Sequence, residues 1–273
     1  MLSLLSVYLL VDRRAPGLAG LSIAIALSVK IVPVVIVPTL LVFAIRAGRR
    51  VALRFVVSMG AFIALTWAPV VAQVWQPFRH DVLGYGGTSR PRWGLAKLAS
   101  IIGHPGWVTN HGTTGRYITV LAVTGISAAF VLWRPWLVVE ASALALVGLL
   151  VLSPAFAMQY LVWAAVPAYF LSFFGATAFN LFGGFLLIEI YNRASGGFPW
   201  YHIKLLDNIT SAEQAVLLGV WMTLVVVMIA GISRIMRTRR PPATVRTESA
   251  AGGSSVARVA KTRLGSYRAR PDP

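Results

Sequence analysis

The chain has 273 residues, 57% of them hydrophobic and 12% charged, and it contains no cysteine. So large an apolar share exceeds what a water-soluble domain buries, and the long runs lack the alternation of barrel strands, which leaves transmembrane helices. The formal charge of +17 gathers as arginine clusters at the ends of those runs, as cytoplasmic flanks do, and no nucleic-acid motif accompanies it, so nucleic acid is excluded as a partner.

Met1–Val11 is an apolar run of about half a span, ended by Asp12-Arg13-Arg14. A signal peptide carries its charge before the apolar run, and here the order is reversed. The segment reads as the last half of a helix, which predicts that the chain is the C-terminal portion of a longer protein. Gly17–Ile45 is apolar apart from Lys30. As one helix it would be about 43 Å long at ~1.5 Å per residue, too long for an upright span. Arginines at both of its ends place both ends in the cytoplasm. The reading is therefore two short helices, up and back, broken near Lys30-Ile31-Val32-Pro33, where Pro33 removes a donor and disfavours a continuous helix. Lys30 then either snorkels to an interface or is held for an anionic ligand, since an unpaired intramembrane cation is costly.

Val51–Trp75 spans outward and delivers the Gln76–Arg116 loop outside; Tyr117–Trp133 returns to a cytoplasmic turn at Arg134. Leu137–Leu152 goes out, Ser153-Pro154 breaks it, and Ala157–Phe174 comes back. Gly175–Tyr191 crosses outward, with Gly183-Gly184 permitting close helix packing. Arg193–Gln214 forms a second outer loop, and Ala215–Ile232 returns to the arginines that end the membrane domain at residue 240. The fold class is all-α and polytopic, with about seven to nine transmembrane or short membrane-embedded helices. Residues 241–273, rich in Ser, Ala, Gly and Arg, predict a disordered basic cytoplasmic tail able to touch anionic lipid. The expected location is the plasma membrane.

The outer loop at 76–116 carries cations that a translocated loop normally avoids, and an anionic ligand would account for them. Arg90 and Arg92 bracket Pro91 beside Trp93, and a guanidinium offers a planar fork that matches phosphate oxygens. Tyr85, Trp93, Gln159 and Tyr160 supply aromatic faces and polar tips suited to a sugar. Lys30, Arg90 and Arg92 are the candidate phosphate-binding residues. Asp81, the loop's carboxylate, is either a catalytic base or a partner of Arg79 or His80. His80, His104 and His111 have no recognisable ligand spacing, so no metal site and no cofactor is expected, though metal dependence stays open.

Gly17–Pro38, the loop motif Val82-Leu83-Gly84-Tyr85-Gly86-Gly87 with Trp93-Gly94, and the corner from Ser153 to Trp163 (SPAFAMQYLVW) resemble the bacterial GT-C membrane glycosyltransferases. The resemblance is to the actinobacterial family of polyprenyl-phosphate-mannose-dependent mannosyltransferases, over roughly Asp12 to Trp163. It implies inverting transfer of a sugar from a polyprenyl-phosphate donor to a lipid or glycan acceptor on the outer face, by a multi-span helical fold. In that superfamily the catalytic carboxylate lies in a first outer loop, and this chain looks to begin after it. Two rival classes remain: an ion-coupled transporter, for which broken helices and Lys30 speak, and a non-catalytic scaffold subunit.

Overall fold

The computed structural model describes residues 1–83, 93–104, 115–153, 160–198 and 210–238. Met1–Met236 forms one compact unit, and Arg237–Pro273 a second, of which Arg237 and Thr238 are described. The described residues are helical and contain no strand. Four helical stretches are long and apolar enough to cross a membrane: Arg49–Gln73, Pro135–Leu152, Phe173–Ser195 and Ser211–Arg237.

The first helices alternate in direction, and their side-chain pairings prove it. In α1 (Leu2–Val11) Ser6 Oγ donates to the Ala19 carbonyl of α2 (Pro16–Val29), and Ser22 Oγ of α2 donates back to the Leu2 carbonyl. That pairing is antiparallel. Along α4 (Arg49–Gln73), Gly20 meets Phe55 and Ser58, and further on Ser28 meets Trp67, so α2 and α4 run parallel. The chain therefore reverses between them. It does so at the place the sequence marks. Lys30 is extended (φ −156°, ψ 134°), a 3₁₀ turn covers Val32–Ile36 with Pro33 in its first turn, and α3 (Val37–Ala47) runs back to Gly48. Gly48 has φ +133°, a conformation closed to most L-residues, and it makes the sharp entry into α4.

Within the 76–116 loop lies an unforeseen helix, α5 (Gly94–Ile101). The next two, α6 (Arg116–Trp133) and α7 (Val138–Leu152), agree with expectation to within a residue. The return expected over Ala157–Phe174 does not form one helix. It is two short pieces, α8 (Leu161–Ala165) and α9 (Pro167–Leu171), because Pro167 has no N–H to carry the ladder through Val166. Ser172 is extended, and its Oγ accepts from the Gly175 N–H to cap α10 (Phe173–Ser195). Finally α11 spans Ser211–Arg237. Both α10 and α11 reach beyond the predicted spans, so the two ends of the expected second loop, Arg193–Ser195 and Ser211–Gln214, are helical.

Two apolar clusters form the interior. One joins α1 to α4 with α6 and α7 through Val7, Ile23, Leu40, Phe55, Val131 and Ala145; the other joins α7 to α11 through Val147, Leu161, Phe179, Leu217, Trp221 and Leu224. α7 belongs to both and is largely buried, whereas α4 lies at the edge with few buried residues. Gly183 and Gly184 are not where helices approach most closely. A methyl at Gly183 would make ordinary contact with Leu161 and Val220, and one at Gly184 would meet nothing. Close approach falls at Gly20 against α4, Gly175 against Val227, and Gly231 against Leu171.

Candidate functional site

Lys30 closes α2 at its C-terminal end, where a cation complements the helix dipole. Its ammonium lies 5.6 Å from the ring centroid of Tyr160 and 5.3 Å from that of Trp163. Those two rings stack on each other with centroids 4.0 Å apart and planes 21° off parallel. A cation over ring faces at this range is attracted by their quadrupoles, more strongly where water is scarce. Lys30 stays exposed, so the rings hold the charge without consuming its hydrogen-bonding capacity. Sequence positions 130 residues apart thus meet at one end of the helices.

Neighbouring contacts fix the ends of the elements that carry these groups. Ser28 Oγ donates to the Ala24 carbonyl and accepts from Trp67 Nε1 at 2.8 Å, tying the last turn of α2 to α4. Trp67 meets Phe78 edge-on, and Phe78 stacks on Trp75, which continues the aromatic surface toward exposed Arg79 and His80. On the α7 side, Trp93 Nε1 donates to the Leu150 carbonyl at 2.8 Å and Trp221 Nε1 to the Val151 carbonyl at 2.9 Å. Those carbonyls belong to the last turn of α7, whose acceptors lack partners within the helix. Two indoles supply donors there. Trp93 is 1% exposed; in this structure it anchors the start of α5 to α7 and presents no open face to a sugar. Lys97 on α5 donates to Gln214 Oε1 on α11 at 2.7 Å, a second tie of α5 to the helix ends.

At the same end, Thr210 and Glu213 form a capping box at the start of α11. Glu213 Oε2 accepts from the Thr210 N–H and hydroxyl, and Thr210 Oγ1 accepts from the Glu213 N–H. Arg193 Nη2 reaches the same Oε2 at 2.7 Å, joining the end of α10 to the start of α11. The opposite end is pinned by arginines. Arg134 stacks on Trp133 and donates to the Ile235 and Met236 carbonyls, capping α11, while Arg234 reaches Glu140 at 3.8 Å and the Phe170 carbonyl.

Of the residues singled out from the sequence, Lys30 and Tyr160 come together, and Trp93 is buried in its contact with α7. Tyr85, Arg90, Arg92 and Gln159 lie outside the described residues, as does the side chain of Asp81. Trp163 belongs to the corner motif, and only its three-residue spacing from Tyr160, one face of a helical turn, signals it as a site residue. Among the described residues no group of three His, Asp or Glu side chains is arranged to hold a metal ion.

These features define an integral membrane protein of helical bundle type, with a cationic aromatic cluster where its short helices end. Residues 1–154 match Glycosyltransferase family 87, and the chain belongs to that family of membrane glycosyltransferases. The match ends just short of Tyr160 and Trp163, so the partner rings of Lys30 lie beyond the shared region. No curated protein and no solved structure matches the chain.

Proposed function

We propose that the chain transfers a sugar, mannose by the sequence resemblance, from a polyprenyl-phosphate donor to a lipid or glycan acceptor at the extracytoplasmic face of the plasma membrane. Residues 1–240 are the membrane domain and 241–273 a cytoplasmic tail. The observation that carries the site is the Lys30 ammonium over the stacked rings of Tyr160 and Trp163. In the transfer the bond from the anomeric carbon to the phosphate oxygen breaks, the acceptor oxygen bonds to that carbon, and the acceptor proton passes to a base. Asp81 is the candidate base within the chain. Negative charge grows on the departing phosphate, and a cation already in place stabilises that charge more than it stabilises the intact donor. Arg90 and Arg92 are assigned to the same phosphate. Tyr160, with Tyr85 and Gln159, is assigned to the sugar or acceptor, and Trp163 joins Tyr160 as a platform.

The test is transfer from lipid-linked mannose in membranes carrying the protein. Lys30→Met should lower kcat about 10- to 150-fold, the equivalent of one charge-assisted contact of roughly 1.5–3 kcal/mol, with Lys30→Arg retaining part of the rate. Trp163→Leu should lower it as well, and the double variant should lose less than the product of the two. Full activity in Lys30→Met, or independent losses in the pair, would remove the proposed role of the cluster.

A further inference from the structure

The ends of α2 and α4 opposite Lys30 carry a second cationic surface of different make. Arg13 and Arg14 precede α2, Arg46 lies in the last turn of α3, and Arg49, Arg50 and Arg54 open α4. The parallel pairing of α2 with α4, through Gly20 on Phe55, sets these six at one end of the helices. All six are exposed. Their surroundings separate them from three arginines elsewhere in the fold. Arg134, Arg193 and Arg234 are each spent on carbonyls or carboxylates of the protein. Among the described residues, no side-chain hydrogen bond or ion pair holds the six, and Arg13 has the Tyr8 ring at 5.8 Å as its contact. The one carboxylate nearby in sequence, Asp12, is exposed too. Arg14 has φ +49°, the sole non-glycine with positive φ among the described residues, so the turn holds it in a disfavoured conformation.

We infer that this end is a binding surface for the phosphate of an anionic membrane phospholipid, with Arg14, Arg49 and Arg50 as its centre. The chemistry favours phosphate over diffuse attraction to a charged leaflet. The surface is arginine throughout, and a guanidinium grips two phosphate oxygens with parallel donors where an ammonium acts as a point charge. A lipid fits better than a soluble anion because the six lie where apolar helices end, so the acyl chains of a bound lipid would lie along the exposed apolar side chains of α4, Leu53, Val56 and Val57. A topogenic role alone would be met equally by lysine. The inference is independent of the sugar-transfer reading, because it concerns the other ends of the helices.

The full chain, reconstituted in nanodiscs of phosphatidylcholine with or without phosphatidylglycerol, tests it by thermal unfolding and by lipid retained in native mass spectrometry. The wild type should retain phosphatidylglycerol over phosphatidylcholine and unfold at a higher temperature when it is present. The triple variant Arg14→Lys, Arg49→Lys, Arg50→Lys keeps every charge, and should lose that preference on the order of 10-fold or more. The corresponding glutamine variant should lose it altogether; if glutamine prevents insertion, the lysine variant carries the test. Equal retention of both lipids, or undiminished preference in the lysine variant, would overturn the inference. So would displacement of the lipid by millimolar inorganic phosphate, which would mark a soluble-anion site.

Discussion

Gly20 is the position where one methyl group should do most damage, and Gly60 supplies its control. A Cβ at Gly20 would lie well inside van der Waals contact with the Phe55 carbonyl oxygen and Ser58 Oγ. The serine can rotate away, giving up its 3.1 Å bond to that carbonyl. The carbonyl cannot, because it belongs to the α4 backbone. Relief therefore requires α2 to move off α4, an overpacking cost of about 1–3 kcal/mol against a helix-propensity gain of about 0.5–1 kcal/mol. At Gly60, mid-way along the same α4, nothing lies within 4 Å of the added methyl. There only the propensity gain operates. Gly20→Ala should lower the unfolding midpoint in a fixed detergent, and Gly60→Ala should leave it unchanged or raise it. Lys30 is ten residues beyond Gly20 on the same helix, about 15 Å along its axis, so displacement of α2 should also reduce transfer activity. A Gly20→Ala protein as stable as wild type would refute the close packing of α2 on α4, and with it the helix directions inferred from that contact.

Two further expectations concern the ends of α7 and α11. Trp221→Phe keeps the apolar ring but removes the donor to the Val151 carbonyl, leaving a buried acceptor bare; a loss of about 1–3 kcal/mol is expected by chemical denaturation, whereas a donor that merely points into lipid would cost nothing. Glu213→Ala removes a capping box and the Arg193 contact together, and should cost roughly 1.5–3 kcal/mol, while Glu189→Ala, at an exposed position on α10, should be close to neutral in the same measurement.

Much of this architecture was legible in the chain, and the failures have physical causes. The break at Lys30 could be read because a cation and Pro33 interrupt an otherwise apolar run, and the arginines on each side demanded an even number of crossings. Pro167 is an equally plain signal against a single helix over Ala157–Phe174, but the hydrophobic length of that run points the other way. Thr210-Ser211-Ala212-Glu213 is a capping sequence, but its polarity reads as loop, which hides the start of α11. The glycine pair at 183–184 shows the limit of composition: a sequence reveals a small residue but not which neighbour faces it. The meeting of Lys30 with Tyr160 and Trp163 is of the same kind. The corner motif and the lysine were both visible, but their contact depends on how α2 and α8 end relative to one another, and no local pattern encodes that.

The position of α7 in both apolar clusters bears on how the protein is made. Ribosomes deliver the chain from its N-terminus at roughly 5–20 residues per second, so α1 to α6 emerge before the wall that completes their cluster. Until α7 arrives, the apolar faces of Leu40, Phe55 and Val131 have lipid for company, an adequate substitute in a bilayer but one without shape. Entry of α7 exchanges that lipid for fitted side chains on one side and exposes its other face as the template for α8 to α11. Its apolar side chains thus serve insertion first and packing afterwards, for in the finished protein 67% of the apolar stretch Pro135–Leu152 is buried by protein. A polar substitution there would be felt first as a failure of biogenesis, before any loss could appear at the site.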